Sequence, residues 1–67
     1  MRIKLNNRLE EIDEDVITLA ELISYKNYSF HLLVTKVNNK LIKKEERAKT
    51  QIKNGDDVLV LHMISGG

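Results

Sequence analysis

The sequence predicts an α+β domain, a mixed sheet of four to five strands with one main helix across one face. Three observations carry this. Short segments with apolar residues at alternate positions recur along the chain. One segment has helical period behind a helix-start signal. The last segment, Val58 to Ile64, is apolar on both parities, as a strand in the middle of a sheet is.

Met1, Ile3 and Leu5 alternate with Arg2, Lys4 and Asn6, which reads as a first strand with one buried face. Asn6-Asn7 is a tight turn, because asparagine tolerates positive φ. Arg8 to Ile12 pairs back as a hairpin, with imperfect alternation because Leu9 and Ile12 fall on opposite parities. Thr18-Leu19-Ala20-Glu21 is a capping box, and Leu19, Leu22 and Ile23 give one apolar helix face. This helix runs from Leu19 to about Lys26 and is too short to stand alone, so it must pack on something. Asn27 and Ser29 end it, and Asp13, Glu14 and Asp15 lie upstream on the favourable side of its dipole.

His31 to Val37 is rich in β-branched and apolar residues and reads as a third strand. Asn38-Asn39 is a second turn, and Lys40-Leu41-Ile42 a short fourth strand. Residues 43–49 have helical composition without an apolar stripe and form at most an exposed helical or 3₁₀ turn. Asn54-Gly55-Asp56-Asp57 is a turn before the last strand. On that strand Val58, Val60 and Ile64 share one parity and Leu59, Leu61 and Met63 the other. If the first and last strands pair in parallel, the arrangement is a β-grasp. The folded unit is expected over 1–64, with 65–67 as a flexible Ser-Gly-Gly tail.

Sixty-seven residues make one small domain. Such a chain buries only about 60% of the surface that its unfolded form exposes, so nearly every apolar residue is needed for the core. Little is left to build a metabolite pocket with catalytic groups, which argues against an enzyme. With no cysteine there are no disulfides, thiolate metal sites or thiol nucleophile. Lys and Arg number 11 against 10 for Asp and Glu, a balance with no strong pull toward nucleic acid or anionic lipid. The charged, alternating start is no signal peptide, and no apolar run approaches a membrane span. The expectation is a soluble cytoplasmic domain.

Few residues are candidates for chemistry. His31 and His62 lack metal-ligand spacing with any acid and read as surface or core histidines. The run Glu10-Glu11-Ile12-Asp13-Glu14-Asp15 has no calcium-loop pattern and reads as solvated or as a docking surface. Lys43, Lys44, Arg47, Lys49 and Lys53 form a modest basic patch diluted by Glu45 and Glu46. Tyr25, Tyr28 and Phe30 are expected in the core or at its edge. No phosphate loop and no nucleophile–base pair can be named, and no metal site.

What remains is the end of the sequence. Ser65-Gly66-Gly67 follows the most apolar stretch, and glycine can enter a channel too narrow for any side chain. Two terminal glycines arise by chance in roughly 0.5% of chains at average glycine usage. A free carboxylate is inert as an electrophile until it gains a leaving group, and adenylation by ATP is the usual route. A chain with no ATP site must be activated by another protein, so the tail is a substrate and the domain its handle.

The segments 38–48, 52–58 and 64–67, together with Thr18-Leu19-Ala20-Glu21-Leu22-Ile23, resemble the ThiS family of thiamine-biosynthesis sulfur carriers over nearly the whole chain. The resemblance implies a ubiquitin-like β-grasp fold. It implies that a ThiF-like enzyme consumes ATP to adenylate Gly67. Sulfur from a cysteine desulfurase then makes a thiocarboxylate there, for delivery to the thiazole synthase ThiG. Gly66 supplies the slim, flexible approach. No cofactor is bound by the carrier itself. Two positions depart from the family, which commonly has proline where Lys43 stands and tryptophan where Arg47 stands. Both departures are expected in the exposed turn.

Two other readings stay open. One is a carrier for molybdopterin synthesis, which shares the Gly-Gly end but is generally longer. The other is a β-grasp binding module whose end is irrelevant, supported only by the Lys43–Lys53 patch. On the carrier reading, one parity of the last strand packs under the helix and the other stays partly open to dock partners. Leu59, Leu61 and Met63 are the docking candidates, although parity alone does not choose between the two sets.

Overall fold

The computed structural model describes residues 1–26, 28 and 32–62. Strands β1 (Arg2–Leu5) and β2 (Arg8–Glu11) form the opening hairpin. The short strand β3 (Val16–Thr18) leads into helix α1 (Leu19–Tyr25). Then come β4 (Leu33–Val37), β5 (Lys40–Ile42), a 3₁₀ turn at Lys44–Glu46, β6 (Gln51–Lys53) and β7 (Asp57–His62). The main sheet has the order β2-β1-β7-β4-β5, and β3 pairs with β6 in a separate two-stranded sheet. The last strand is central, parallel to β1 and antiparallel to β4.

Both hairpins turn on asparagine pairs. Asn6, Asn7, Asn38 and Asn39 all have positive φ, the requirement of a two-residue type I′ turn, whose twist matches that of the strands it joins. The third sharp turn needs its glycine, since Gly55 has φ of 90°. Asp56 closes that turn from a buried position. One carboxylate oxygen accepts the Lys53 N–H at 2.9 Å and the other accepts Asn38 Nδ2 at 3.0 Å.

The core lies between one face of the sheet and the helix. Ile3 and Leu5 of β1, Val37 of β4 and Val58 and Val60 of β7 meet Leu19 and Leu22 of α1, with Ile12 and Ile52 closing the sides. The helix start is fully satisfied. Thr18 Oγ1 accepts the Glu21 N–H at 3.0 Å, and Glu21 Oε1 accepts the Thr18 N–H at 2.8 Å. The Leu19 and Ala20 N–H groups donate to the carbonyls of Thr50 and Arg47. Seven residues of helix are thus held at the N-terminus by a cap and a loop, and along one face by the core.

Several expectations need correction. β3 and β6 were not anticipated. The helix does run from Leu19 to about Lys26, with Tyr25 its last residue and Lys26 its C-cap. Asn27 and Ser29, expected to end it, lie outside the described residues. Tyr25 is 60% exposed, because two positions past Ile23 it turns to the opposite side of the helix. Tyr28 does pack against the core, while Phe30 lies outside the described residues. The third strand starts at Leu33, and His31 lies outside the described residues. The acidic run is partly engaged: Glu11 pairs with Arg2 at 2.7 Å and Glu10 with Lys26 at 2.8 Å. The Glu10 hydrogen bond holds the Lys26 ammonium above the usual lysine range.

Candidate functional site

Strand β7 connects the core to the end of the sequence, and its neighbours fix its course. Alternation puts Val58 and Val60 into the core, fully and almost fully buried. Leu59 is half-buried and Leu61 is 47% exposed on the other face. Of the tail-side candidates, Met63, Gly66 and Gly67 lie outside the described residues, as do Ile64 and Ser65.

Two asparagines hold β7 from either side. β1 turns away after Leu5, opposite Val58, which leaves the next part of β7 without a backbone partner on that side. Asn6 fills the gap with its side-chain amide. The Val60 N–H donates to Asn6 Oδ1 at 2.8 Å, and Asn6 Nδ2 donates to the Val60 carbonyl at 3.1 Å. On the β4 side, Asn38 Oδ1 accepts the Asp57 N–H at 2.9 Å and the Asn38 N–H donates to the Asp57 carbonyl. The strand that leads toward residue 67 is therefore paired through His62 on its β4 edge and through Val60 on its β1 edge.

The open face of the sheet follows from the register. Leu61 stands opposite Val34, and Lys36 stands between Leu59 on one side and Leu41 on the other. Lys4 lies opposite Leu9 and beside Asp57. Leu9 and Leu41 are 74% and 59% exposed. Leu59 and Leu61 thus share this face with Val34, Leu41 and Leu9, the last set apart from them by Lys4 and Asp57. Parity within one strand had no way to find those three. The signal that finds them is the cross-strand register.

Arg47 is not a solvated member of the basic patch. It is half-buried, its Nη2 donates to the Leu33 carbonyl at 2.8 Å, and its Nε donates to Thr35 Oγ1 at 3.2 Å. Thr35 is fully buried and donates in turn to the Ile42 carbonyl at 2.7 Å. The guanidinium pins the loop after the 3₁₀ turn to β4, so Arg47, expected in an exposed turn, is half-buried instead. Lys43, Lys44, Lys49 and Lys53 remain exposed. His62, exposed at the end of β7, lies opposite Leu33. Among the described residues no group of three or more His, Asp or Glu is placed to hold a metal ion, and no helix is long and apolar enough to cross a membrane.

A five-stranded mixed sheet with its last strand central and parallel to the first, and one helix packed across one face, defines a ubiquitin-like β-grasp domain. The sequence matches the ThiS family over residues 3–67, and the chain belongs to that family. It is a small sulfur-carrier protein rather than an enzyme. The crystal structure of a thiamine biosynthesis protein (ThiS) from Geobacter metallireducens is similar at 23% identity and a TM-score of 0.89, over 100% of both chains. An NMR solution structure of a thiamine biosynthesis protein from the same organism has 23% identity and a TM-score of 0.81. That match covers 100% of this chain and 88% of the other. These two likenesses bear on the fold. No curated protein sequence matches the chain.

Proposed function

We propose that the chain carries sulfur as a thiocarboxylate on Gly67, for the thiazole moiety of thiamine. The observation that carries this reading is the family match, which extends through Ser65-Gly66-Gly67, the residues that follow a strand tied down on both edges. An adenylating enzyme of the ThiF type consumes ATP. A Gly67 carboxylate oxygen attacks the α-phosphorus, pyrophosphate leaves, and an acyl-adenylate forms. A sulfur nucleophile provided through a cysteine desulfurase then attacks the acyl carbon. The carbon–sulfur bond forms as the bond to the adenylate oxygen breaks and AMP leaves. Because a desulfurase supplies sulfur as a persulfide, a thiol then cleaves the S–S bond of the resulting acyl disulfide. This leaves the thiocarboxylate and an enzyme disulfide. A thiazole synthase of the ThiG type takes the sulfur.

A cysteine-free sequence suits this role, because the sulfur rides on the backbone carboxyl and no side-chain thiol competes for the activated acyl group. The proposed setting is the cytoplasm. Gly66 lets the end enter a narrow channel in the enzyme, and Leu59, Leu61 and Met63 contribute to docking.

The test is intact mass after incubation with ATP, a ThiF-type enzyme and a sulfur donor. The expected product has one carboxyl oxygen exchanged for sulfur, and deletion of Gly67 abolishes it. An unchanged mass with an enzyme that modifies its own carrier in parallel would overturn the proposal.

A further inference from the structure

We propose that the outer edge of β2 pairs with the same edge of a second copy of this chain, antiparallel and centred on Leu9, so that two sheets join across a twofold axis. This edge lies two strands from β7 and has no part in the carrier reading.

β2 has β1 on one side and, in the sheet order, no strand on the other. Antiparallel pairing alternates, so every second residue turns its backbone groups away from the partner strand. Two points fix the phase. Leu5 and Arg8 flank the two-residue turn, and Met1 and Ile12 exchange hydrogen bonds in both directions. The hydrogen-bonded positions of this arm are therefore Arg8, Glu10 and Ile12. Leu9 and Glu11 lie between them, and their N–H and carbonyl groups point outward from the sheet. Their opposite numbers on β1 turn the other way. The Lys4 N–H donates to the Asp56 carbonyl at 2.9 Å, and the Arg2 carbonyl accepts the Gly55 N–H at 2.8 Å.

Proteins blunt such edges with charge, proline or a bulge. β2 keeps an unbroken register and has no proline, and its charges are of both signs. Their spacing attracts a copy. With Leu9 on the twofold axis, residue 8 of each strand faces residue 10 of the other. Arg8 then meets the second copy's Glu10, and the reverse, in non-hydrogen-bonded pairs where side chains come closest. Both groups have capacity for this. Arg8 is exposed and, among the described residues, has neither a hydrogen bond nor an ion pair. Lys26 occupies Oε2 of Glu10 and leaves Oε1. On the open face Leu9, the most exposed large apolar residue among those described, meets its own copy.

The competing register through the same backbone groups centres on Glu10. It sets two carboxylates directly opposite each other, which opposes pairing. The other edge, β5, offers by the same alternation only the groups of Leu41, and self-pairing there sets Lys40 against Ile42 with no charge to match. A twofold contact closes on itself and stops at the dimer. An edge of four residues buries less than a standard interface, so Kd is on the order of 100 µM.

The experiment is sedimentation equilibrium of the whole chain from about 10 µM to about 1 mM, with amide NMR shifts followed over the same dilution. The wild type should dimerise, with the concentration-dependent shifts centred on Leu9. Arg8→Glu and Glu10→Arg each set like charges across the axis and should each raise Kd at least about 10-fold. Mixed, the two variants oppose unlike charges at both positions, and the heterodimer should return to within about 3-fold of the wild-type Kd. Lys53→Glu, the same charge change on β6 of the small sheet, should dimerise as the wild type does. If Glu10→Arg melts early because Lys26 has lost its partner, Arg8→Glu decides alone, since its position is exposed and unpaired. A wild-type monomer at the highest concentration overturns the proposal. So does a Kd that Arg8→Glu leaves unchanged, a folded mixture that stays monomeric, or a dimer whose shifts centre on Leu59 and Leu61.

Discussion

Asn6 and Asn7 look equivalent in the sequence, and both adopt positive φ. Their roles differ, because only Asn6 lies within reach of β7, where its amide takes both backbone groups of Val60. Replacing each by glycine keeps the turn conformation and removes the side chain alone. Asn6→Gly leaves the Val60 N–H and carbonyl without their partner and should cost about 1–3 kcal/mol in urea unfolding. Asn7→Gly, whose side chain is exposed, should stay within about 0.5 kcal/mol of wild type. Equal effects would mean that the amide adds nothing to the strand. The turns were legible in the sequence because their chemistry is local. Which asparagine of a pair reaches back was not, because that depends on a strand more than 50 residues away. Arg47 was hidden for the same reason: a charge in a charged run reads as solvated until β4 brings Thr35 and the Leu33 carbonyl beneath it.

Among the elements, those with a period or a cap were legible and those without were not. β1 alternates over its four residues, and α1 begins at a capping box that the structure forms in full. β3 and β6 have three residues each, too few to display alternation, and they exist because they pair with one another. Thr18 is both the last residue of β3 and the N-cap of α1, so one side chain governs the change of direction. Thr18→Ala should cost about 1 kcal/mol, and in a domain of this size that lowers the melting temperature by about 4–8 °C. Thr18→Ser, which keeps the acceptor oxygen, should restore most of it. A melt unchanged by Thr18→Ala would show that the loop bonds to Leu19 and Ala20 hold the helix start unaided.

Over the whole molecule, β7 divides core from surface, and the two sides should fail in different ways. A domain under about 70–80 residues rarely gains more than about 3–5 kcal/mol from its single core. Val58 is fully buried at the centre of that core, between β1 and β4. Val58→Ala removes two methyl groups and leaves a cavity, a loss of about 2 kcal/mol and so a large share of the total. Leu61 is separated from it by three positions on the same strand and faces outward. Leu61→Ser should change stability by no more than about 0.5 kcal/mol, since it gives up little buried area. It should nonetheless impair adenylation through KM. Val58→Ala, assayed at a temperature where it is folded, should be adenylated with wild-type KM. Urea midpoints and ATP–pyrophosphate exchange kinetics on the two variants give four numbers, and the crossed pattern is the expected one. If Leu61→Ser lost stability as Val58→Ala does, the open face would belong to the core's energetics, and a partner would have no apolar surface of its own to bind.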